Sequence, residues 1–380
     1  MWGRVAKLLS VFNSSFLRDC TNCSDCFGSA NLKNGKCVFF NEQLSKDEYE
    51  KRVAEIDLGS YKIYTETQQK VEDHWGTQIP RAVFSERNEG TTGVHIFQCK
   101  NVKDSMEVSH AEDSRFLLAM LGFPVTECYD CSFWGENLSR SYEGCAAGGD
   151  SSDMHFCYES GMNLIDAEYC KDIIGGSHVL GSVSVKKSEY VILNKRYSKE
   201  EYEELAPKIK RHMDEMPYTD KGGRVYKYGE FFPTELSPFA YNETVADDLF
   251  PLSKEEVEAN GYRFREPAPN EHPVTLPASD LPDHIKDAPE NITSEVVGCT
   301  ECERGFRIVP AEVSFLKARN LPLPRRCPMC RLKEKYRAWI KNLRTFERVC
   351  DKCGVNFVGR YPKEEAPRVF CKECYKREYN

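Results

Sequence analysis

Four Cys-x-x-Cys pairs near the C-terminal end constrain the fold of this chain more than any other feature of its sequence. Successive pairs are separated by 24, 19 and 17 residues and fall at Cys299/Cys302, Cys327/Cys330, Cys350/Cys353 and Cys371/Cys374. Two residues between thiolates let one turn present both sulfurs to a tetrahedral ion, and two such pairs complete a closed shell of four sulfurs. The spacing therefore predicts two metal sites, each made by two consecutive pairs. Interleaved pairing is the alternative.

The ligand chemistry predicts the metal and its role. All eight predicted ligands are thiolates, which favours zinc over calcium or magnesium and leaves iron as an alternative. A closed shell has no open position for a catalytic water, so we expect two structural zinc ions. A module of this size has a small hydrophobic core, and bound zinc supplies on the order of 10 kcal/mol of its folding free energy.

The same local order surrounds both predicted sites. In each, the first pair precedes a short strand ("GFRIV" and "VNFVGRY") and the second pair opens a helix ("CRLKEKYRAWIKNL" and "CYKREY"). A knuckle, a hairpin and a helix that begins at the second pair are typical of treble-clef or zinc-ribbon modules. We expect zinc ribbon 1 over residues 299–348 and zinc ribbon 2 over 349–380.

Charge is distributed unevenly along the chain. From Cys299 onwards there are 20 Lys+Arg against 10 Asp+Glu, whereas the preceding residues carry 32 against 50. In the helix predicted to begin at Cys330, one face carries Leu332, Tyr336, Ile340 and Leu343. We expect this face to pack on the zinc core, with a stripe of basic residues beside it. The predicted contacts to RNA or DNA are Arg325, Arg326, Arg331, Lys333, Arg337, Lys341 and Arg344. The competing interpretation is a solvated helix face that binds nothing.

A proline-rich segment precedes the zinc modules. Residues 265–298 contain six prolines between positions 267 and 289 and are predicted to form an extended linker. No apolar run approaches the roughly 18 to 20 residues that span a bilayer, so we expect no membrane contact. The chain has 18 cysteines but no clear export signal, which favours thiols over disulfides and a cytoplasmic location.

An internal repeat marks the first half. Residues 26–50 align on residues 179–203 without gaps, at an offset of 153 and with 10 identities in 25 positions. Each copy contains a Gly-Ser turn, an apolar strand and an Asn, and then a helix start. Ser45 with Glu48, and Ser198 with Glu201, have the spacing of a capping box.

Short strand-like segments that contain cysteine lie between the two copies, at Cys99, Cys128, Cys157 and Cys170. They predict a mainly β fold, a parallel β-helix-like solenoid over 1–195 with turns of about 20 to 30 residues. A helix and an extended capping segment follow over 196–264. An irregular antiparallel sandwich is the alternative. Cys20, Cys23 and Cys26 in "CTNCSDC" have metal-like spacing without a fourth ligand, so buried thiols are predicted there.

Several phrases resemble a family of uncharacterised proteins from candidate-phylum bacteria. They are "CTECERGFRIVPAEVSFLKARNLPLPRRCPMCRLKEKYRAWIKNLRTFERVCDKCG", "RVFCKECYKREY", "VILNKRYSKEEYEEL", "YGEFFPTELSPFAYNETVA" and "LPDHIKDAPENIT". The resemblance covers most of residues 20–380 and implies a C-terminal double zinc ribbon, with no established activity. Family members commonly start with a further zinc ribbon, so this chain resembles a short member.

Three functions remain open on the sequence. The first is a non-enzymatic zinc protein that contacts nucleic acid through its basic tail. The second is a solenoid scaffold that binds a protein or glycan. The third is a β-helix enzyme acting on polysaccharide through Asp130, Asp153 or Asp172, although Asp on a turn is ordinary turn chemistry.

Overall fold

The computed structural model describes residues 9–266 and 272–379, which form two compact units. The first unit comprises Met1–Ala82 and Pro267–Asn380, and the second comprises Val83–Glu266. The described part of the chain is mainly sheet, as predicted. Within it no helix combines the length and apolar character needed to cross a membrane.

The first unit contains a four-stranded sheet, here called the first sheet, two helices and the two cysteine-rich modules. Its strands are β1 Leu9–Phe12, β2 Thr21–Phe27, β3 Lys36–Phe39 and β4 Glu42–Gln43, and its helices are α1 Lys46–Ala54 and α2 Tyr61–Thr77.

The second unit contains a 15-stranded sheet, here called the second sheet. Its strands are β5 Ser85–Glu86, β6 Gly93–Phe97, β7 Lys100–Lys103, β8 Ser105–Ser109, β9 Ala111–Arg115, β10 Leu118–Met120, β11 Val125–Tyr129, β12 Ser132–Gly135, β13 Leu138–Tyr142, β14 Cys145–Gly148, β15 Ser151–His155, β16 Tyr158–Glu168, β17 Ile174–Leu180, β18 Lys186–Ile192 and β19 Lys195–Arg196. The unit continues with α3 Lys199–Glu215, β20 Tyr218–Thr219, β21 Val225–Tyr226, α4 Val245–Leu249 and α5 Lys254–Ala259.

The remaining elements belong to the first unit. They are β22 Val297–Gly298, β23 Gly305–Phe306, α6 Pro310–Ala318, α7 Pro328–Asn342, β24 Phe346–Val349, β25 Asn356–Gly359 and α8 Lys372–Tyr379. Short 3₁₀ turns at Ala278–Asp280, Ile285–Asp287 and Glu290–Thr293 precede β22.

Parallel pairing organises both sheets. In the second sheet the even-numbered strands β6 to β14 form one arm, the odd-numbered strands β7 to β15 form the other, and the long β16 joins them. Residues paired in parallel are 11 to 14 positions apart, as in Ser85 with Ile96, Gly93 with Ser105 and Val125 with Leu138. The sheet is therefore curled and parallel. The antiparallel alternative is wrong for these strands, and the expected turn length of 20 to 30 residues is also wrong.

A three-residue period underlies the curled sheet. The backbone adopts positive φ at every third residue over long stretches, for example at Gln98, Asn101, Asp104, Glu107 and His110. The residue after each corner of this stretch is buried, and the members of the series, at most 2% exposed, are Cys99, Val102, Ser105, Val108 and Ala111. The chain thus turns at every third residue and places every third side chain in the core.

The core side chains are small and several are polar. Serine and cysteine satisfy their own donors locally: Ser105 Oγ donates to the carbonyl of Lys103 at 2.7 Å, and Cys99 Sγ lies 3.3 Å from the carbonyl of Phe97. Ser105 Oγ also accepts from the backbone N–H of Leu117 at 3.0 Å, one turn later. Hydroxyls and thiols can therefore be buried here without the cost of an unsatisfied group.

The sequence repeat forms the end of each sheet. In the first sheet β3 and β4 make an antiparallel hairpin before α1, and in the second sheet β18 and β19 make the equivalent hairpin before α3. Asn41 bonds both backbone groups of Ala30, at 2.9 and 2.7 Å, and Asn194 bonds both backbone groups of Val183, each at 2.8 Å. The repeat is therefore a capping element that the chain uses twice.

The helix in each cap packs on the last strands. Tyr49 of α1 lies in a cluster with Phe27 and Cys37, while Tyr202 of α3, at the position equivalent to Tyr49, lies with Leu180 and Ile192. Ser198 forms a full capping box with Glu201, and Ser45 accepts from the backbone N–H of Glu48 at 3.2 Å. The predicted helix starts are confirmed.

Candidate metal centres

Two groups of four cysteine sulfurs lie in the first unit. Cys299, Cys302, Cys327 and Cys330 form group 1, Cys350, Cys353, Cys371 and Cys374 form group 2, and the sulfurs of each group lie within 4.8 Å of one another. The sulfurs of Cys302 and Cys327 are 3.8 Å apart, and those of Cys353 and Cys371 are also 3.8 Å apart. A tetrahedral shell with Zn–S near 2.3 Å has sulfur–sulfur edges of about 3.8 Å. The donor set and its dimensions therefore fit zinc, and consecutive pairs come together as predicted.

Each group is built from the same local parts. After Cys299 the chain turns tightly, so that the N–H of Glu303 donates to the Cys299 carbonyl and the N–H of Cys299 donates to the Arg304 carbonyl, both at 3.0 Å. The equivalent bonds around Cys350, with Gly354 and Val355, are both 2.9 Å. A positive φ closes both turns, at 61° for Glu303 and 74° for Gly354. The hairpins β22–β23 and β24–β25 carry these turns.

The second pair of each group stands at a helix start. Cys327 is the N-cap of α7 and its sulfur accepts from the N–H of Cys330 at 3.4 Å, while Cys371 directly precedes α8. Backbone N–H groups also reach the first cysteines, because Cys327 N donates to Cys299 Sγ and Cys371 N donates to Cys350 Sγ, each at 3.2 Å. These donors stabilise thiolate at both sites.

The electrostatics favour ionised sulfur at one position in each group. Burial raises the pKa of Cys299, but the backbone N–H groups of Cys302 and Cys327 outweigh it and lower that pKa to about 6. Cys350 behaves in the same way, with burial opposed by the N–H groups of Cys371 and Lys352, and its pKa is also about 6. Thiolate is the form that binds metal, so each group has one sulfur ready to bind a cation near neutral pH, whereas burial and the neighbouring cysteines raise the pKa of Cys330 and Cys374.

Packing around the two groups differs. Group 1 shares a hydrophobic cluster with the segment predicted as a linker, and the cluster members from that segment are Ala278, Leu281, Ile285, Ala288, Ile292 and Val297. Group 2 packs with Phe370 and Tyr375, against the partly buried Ile79 and Phe357. The described part of the linker thus contributes core residues, because its prolines alternate with apolar side chains that 3₁₀ turns direct inward.

The basic residues predicted to contact nucleic acid are mostly engaged. Arg326 pairs with Glu334 at 2.7 Å, Arg331 with Glu312 at 2.7 Å, Arg337 with Glu301 at 3.5 Å and Lys341 with Glu365 at 3.0 Å. Lys333 and Arg344 are exposed, and neither makes an ion pair within the described residues. A sequence pattern cannot reveal these pairings, since the carboxylates come from other turns and other elements.

Arg325 has a structural environment. It is 9% exposed, and its Nη2 donates to the carbonyls of Leu281 and Pro282 at 3.0 and 2.9 Å. Its guanidinium lies 4.7 Å from the ring centroid of Tyr61, the first residue of α2. Arg325 therefore ties α2 and the linker segment to group 1, and its assignment to a phosphate-facing surface does not fit its burial.

The hydrophobic stripe of α7 is only partly buried. Ile340 and Leu343 are 8% and 5% exposed, as expected for a core face, whereas Leu332 is 52% exposed. The prediction was wrong for Leu332, because the first turn of α7 turns Cys330, at 6% exposed, toward group 1.

The other cysteines and the candidate aspartates have structural surroundings. Cys20, Cys23 and Cys26 are at most 1% exposed and lie on successive buried positions of the first sheet, so their spacing of three is the period of the fold. Asp153 pairs with Arg140 at 2.7 Å, and Asp172 accepts from Ser184 at 2.9 Å. Asp130, Asp153 and Asp172 all stand at positive-φ corners, which is where turn chemistry favours Asp.

Comparisons with protein-family models, with curated proteins and with solved structures find no match to this chain. The case for function consequently depends on the geometry of the two cysteine groups.

Proposed function

We propose that this chain is a non-enzymatic zinc-binding protein in which two tetracysteine sites each hold a structural zinc ion. The supporting observation is the convergence of four sulfurs twice over, with separations that match a tetrahedral shell. In group 1 the cysteines join a hydrophobic cluster that spans residues 278–330, so bound metal stabilises the packing of that whole segment.

Metal stoichiometry of single-cysteine variants tests this proposal. We expect two zinc ions per purified chain, falling to one in Cys302→Ser and to one in Cys353→Ser, measured by inductively coupled plasma mass spectrometry. Both cysteines are exposed members of their groups, which limits packing loss in the variants. Cys145→Ser, at a half-buried cysteine outside both groups, is the matched control and keeps two ions. An unchanged zinc content in Cys302→Ser or Cys353→Ser contradicts the proposal.

We also propose that the two parallel sheets are β-solenoids and that the second one is a rigid scaffold. Support comes from the offset of 11 to 14 residues between strands paired in parallel and from the corner at every third residue. The two capped ends match the expectation that a solenoid protects its terminal turn. The cysteine-rich modules, in turn, fit treble-clef or zinc-ribbon architecture, and the quoted phrases support membership in the uncharacterised zinc-ribbon family.

Nucleic-acid binding is a second candidate function, with fewer available basic residues than the sequence predicts. Lys333 and Arg344 are exposed without ion pairs in the described residues, and Arg337 has only a long contact to Glu301. Each phosphate contact adds roughly 0.7 to 0.9 to the steepness with which the logarithm of the binding constant falls with the logarithm of the salt concentration. Three available cations predict a slope of about 2 to 3.

A salt titration separates this candidate from the plain scaffold. RNA and DNA oligonucleotides are titrated with the full zinc-loaded chain from about 50 to 200 mM salt. If the tail binds, the double variant Lys333→Gln/Arg344→Gln reduces the slope by about 2, and Lys187→Gln in the second unit leaves it unchanged. Absence of affinity at the lowest salt, or a slope that does not respond to the double variant, contradicts nucleic-acid contact.

We propose a cytoplasmic location because the cysteines form no disulfides. None of the 18 cysteines, all of which lie in the described residues, is joined in a disulfide. Zinc thiolate sites and buried thiols persist in a reducing compartment.

A further inference from the structure

A cleft in the first unit adjoins the hydrophobic cluster of group 2 through Ile79, and none of the eight group cysteines lines it. It has a volume of about 200 Å³. One wall consists of Trp75 and the residues that follow it up to Pro80, and the other consists of Tyr361 and residues 365–368. Arg18, from the segment between β1 and β2, also lines the cleft. The cleft is smaller than the roughly 300 to 1,000 Å³ of a typical drug-sized pocket, so it suits a group the size of one ring with a substituent.

Two side chains in the cleft lining have hydrogen-bond donors without acceptors. The indole Nε1–H of Trp75 is buried, in a residue that is only 7% exposed, and has no partner within the described residues. Nε and Nη2 of Arg18 are likewise buried without a hydrogen-bond acceptor, although Nε lies 3.9 Å from a carboxylate oxygen of Asp19. Buried donors normally have a hydrogen-bond acceptor, and a buried donor without one destabilises the fold. A ligand atom that accepts hydrogen bonds would remove this cost.

Positive charge exceeds negative charge around the cleft. The guanidinium groups of Arg18, Arg81 and Arg360 all act on one buried carboxylate, Asp19, whose side chain is fully buried. Arg368, at the cleft, is exposed and makes no ion pair in the described part of the chain. The acid in the lining, Glu365, is held by Lys341 at 3.0 Å. An anionic group is therefore the chemistry that the cleft favours.

The walls are held in place by other elements. Asn31 donates to the carbonyl of Ile79 at 2.8 Å and accepts from the Tyr375 hydroxyl at 2.8 Å, which fixes the first wall. Arg348 donates to the carbonyls of Tyr361 and Ala366 at 2.6 and 2.8 Å, which fixes the second. A preformed site loses little freedom when a ligand binds.

We infer that this cleft binds a small molecule that carries a carboxylate or phosphate on a planar apolar ring. The ring contacts Trp75, Tyr361 and the neighbouring prolines, while the anion accepts hydrogen bonds from Arg18 and Trp75 Nε1. A guanidinium lies against each aromatic ring, with Arg18 at 5.7 Å from the Trp75 ring centroid and Arg360 at 4.8 Å from the Tyr361 ring centroid. Aromatic and cationic groups therefore occur together at the cleft, which favours a ligand with a planar ring and an anionic group.

Titration of the full zinc-loaded chain with benzoate, phenyl phosphate and inorganic phosphate tests this inference. Benzamide has the shape of benzoate without its charge and serves as the neutral probe. Calorimetry gives affinity, and indole N–H resonances report the site, with Trp75 assigned by its loss in Trp75→Phe. We expect at least one ring-bearing anion to bind and to shift the Trp75 resonance. Benzamide is expected to bind at least tenfold more weakly.

Three variants locate the interaction. Trp75→Phe keeps an aromatic ring and removes the donor, and should weaken the anion about fivefold, the value of one neutral hydrogen bond. Arg368→Gln changes an exposed side chain and should weaken it severalfold without affecting folding, whereas Arg319→Gln, also exposed but outside the cleft lining, should have no effect. The inference is overturned if no probe binds the folded chain, if benzamide binds as well as benzoate, or if Arg368→Gln and Arg319→Gln behave alike. Binding of inorganic phosphate alone would also overturn it, because the ring would then contribute nothing.

Discussion

Gly28 and Gly181 occupy equivalent corners in the two caps, and both have positive φ, 67° and 61°. A methyl group at Gly28 would lie 2.8 Å from the ring of Phe40, whereas one at Gly181 would lie 3.1 Å from Cδ2 of Leu193. Many corners in this fold hold side chains at positive φ, Asp and Asn among them. The requirement for glycine at position 28 therefore comes from the aromatic ring packed over it, in addition to the backbone angle.

Gly28→Ala should destabilise the first unit by about 2 to 4 kcal/mol, because the left-handed angle costs roughly 1 to 2 kcal/mol and the ring must move. Gly223→Ala is the control, with φ of 80° and nothing within 4 Å of the added carbon. Gly223→Ala should lower the free energy of unfolding of the second unit only by the cost of the left-handed backbone angle. Urea unfolding of both variants measures the difference, and equal losses would show that Phe40 moves freely.

Glu143 provides a pH-dependent test at the residue scale. Partial burial raises its pKa above the ordinary value of 4.5, and the charges of Glu230 and Asp130 add to this, while Tyr142 opposes it. The folded carboxyl therefore holds its proton more tightly than the unfolded one. Its contribution to stability is complete below pH 4.5 and is lost as pH rises through the folded-state pKa.

Glu143→Gln should accordingly stabilise the second unit at pH 7, by at most about 1 kcal/mol because the site is half-exposed. The advantage should shrink as pH falls. Denaturant unfolding across this range, followed by a probe in the second unit, measures the effect, and Glu127→Gln at an exposed acid serves as control. A variant that is less stable than the parent at pH 7 would contradict the assignment.

At the scale of elements, the cap is the unit that the sequence repeats. Asn194 has φ of 65°, its side chain bonds both backbone groups of Val183, and its own N–H donates to Ser182 Oγ at 3.1 Å. One residue thereby closes the last turn of the second sheet. Asn suits this position since its short amide tolerates left-handed backbone and can replace a strand partner.

Asn194→Ala should destabilise the second unit by about 1 to 3 kcal/mol, through two lost side-chain bonds and the strain at its backbone angle. Asn163→Ala is a matched control. Asn163 has φ of 66° and is exposed, with no side-chain hydrogen bond in the described residues, so only the backbone strain applies. Chemical denaturation should rank Asn194→Ala as the more damaging change, and the reverse order would count against the capping role.

At the scale of the whole molecule, the two cysteine groups and the large parallel sheet belong to different units. Every proposed ligand lies in the first unit, and the core of the second unit contains none of them. Cysteines such as Cys128 and Cys157 fill that core as small apolar side chains. Stability of the two units should therefore respond differently to metal.

Removal of metal by a chelator should loosen the first unit and leave the second unit protected from hydrogen exchange. Treatment with excess chelator is expected to increase hydrogen exchange across residues 272–379, because removing zinc leaves small cores without their main support. Exchange across residues 85–196 should remain slow. Chelator already saturated with zinc is the control, and loss of protection in the second sheet, or none near the cysteine groups, would contradict this division.

The sequence by itself determined the features that depend on local spacing. Four Cys-x-x-Cys pairs specified two tetracysteine groups because a knuckle is made by adjacent residues, and Ser198 with Glu201 specified a helix start for the same reason. The three-residue period was also present in the sequence, since Asn, Asp or Gly recurs at positions 19, 22, 25, 28, 31 and 34. The spacing of the cysteines alone indicates longer turns and does not reveal this period.

Only the tertiary structure decided which side chains share a site. Arg325 appears in the sequence beside Arg326, yet one is buried under Tyr61 and the other pairs with acids at the surface. The cleft likewise joins Arg18, Trp75 and Tyr361 from distant parts of the chain. Burial, ion pairing and cavity shape arise from packing between elements, and no local pattern encodes them.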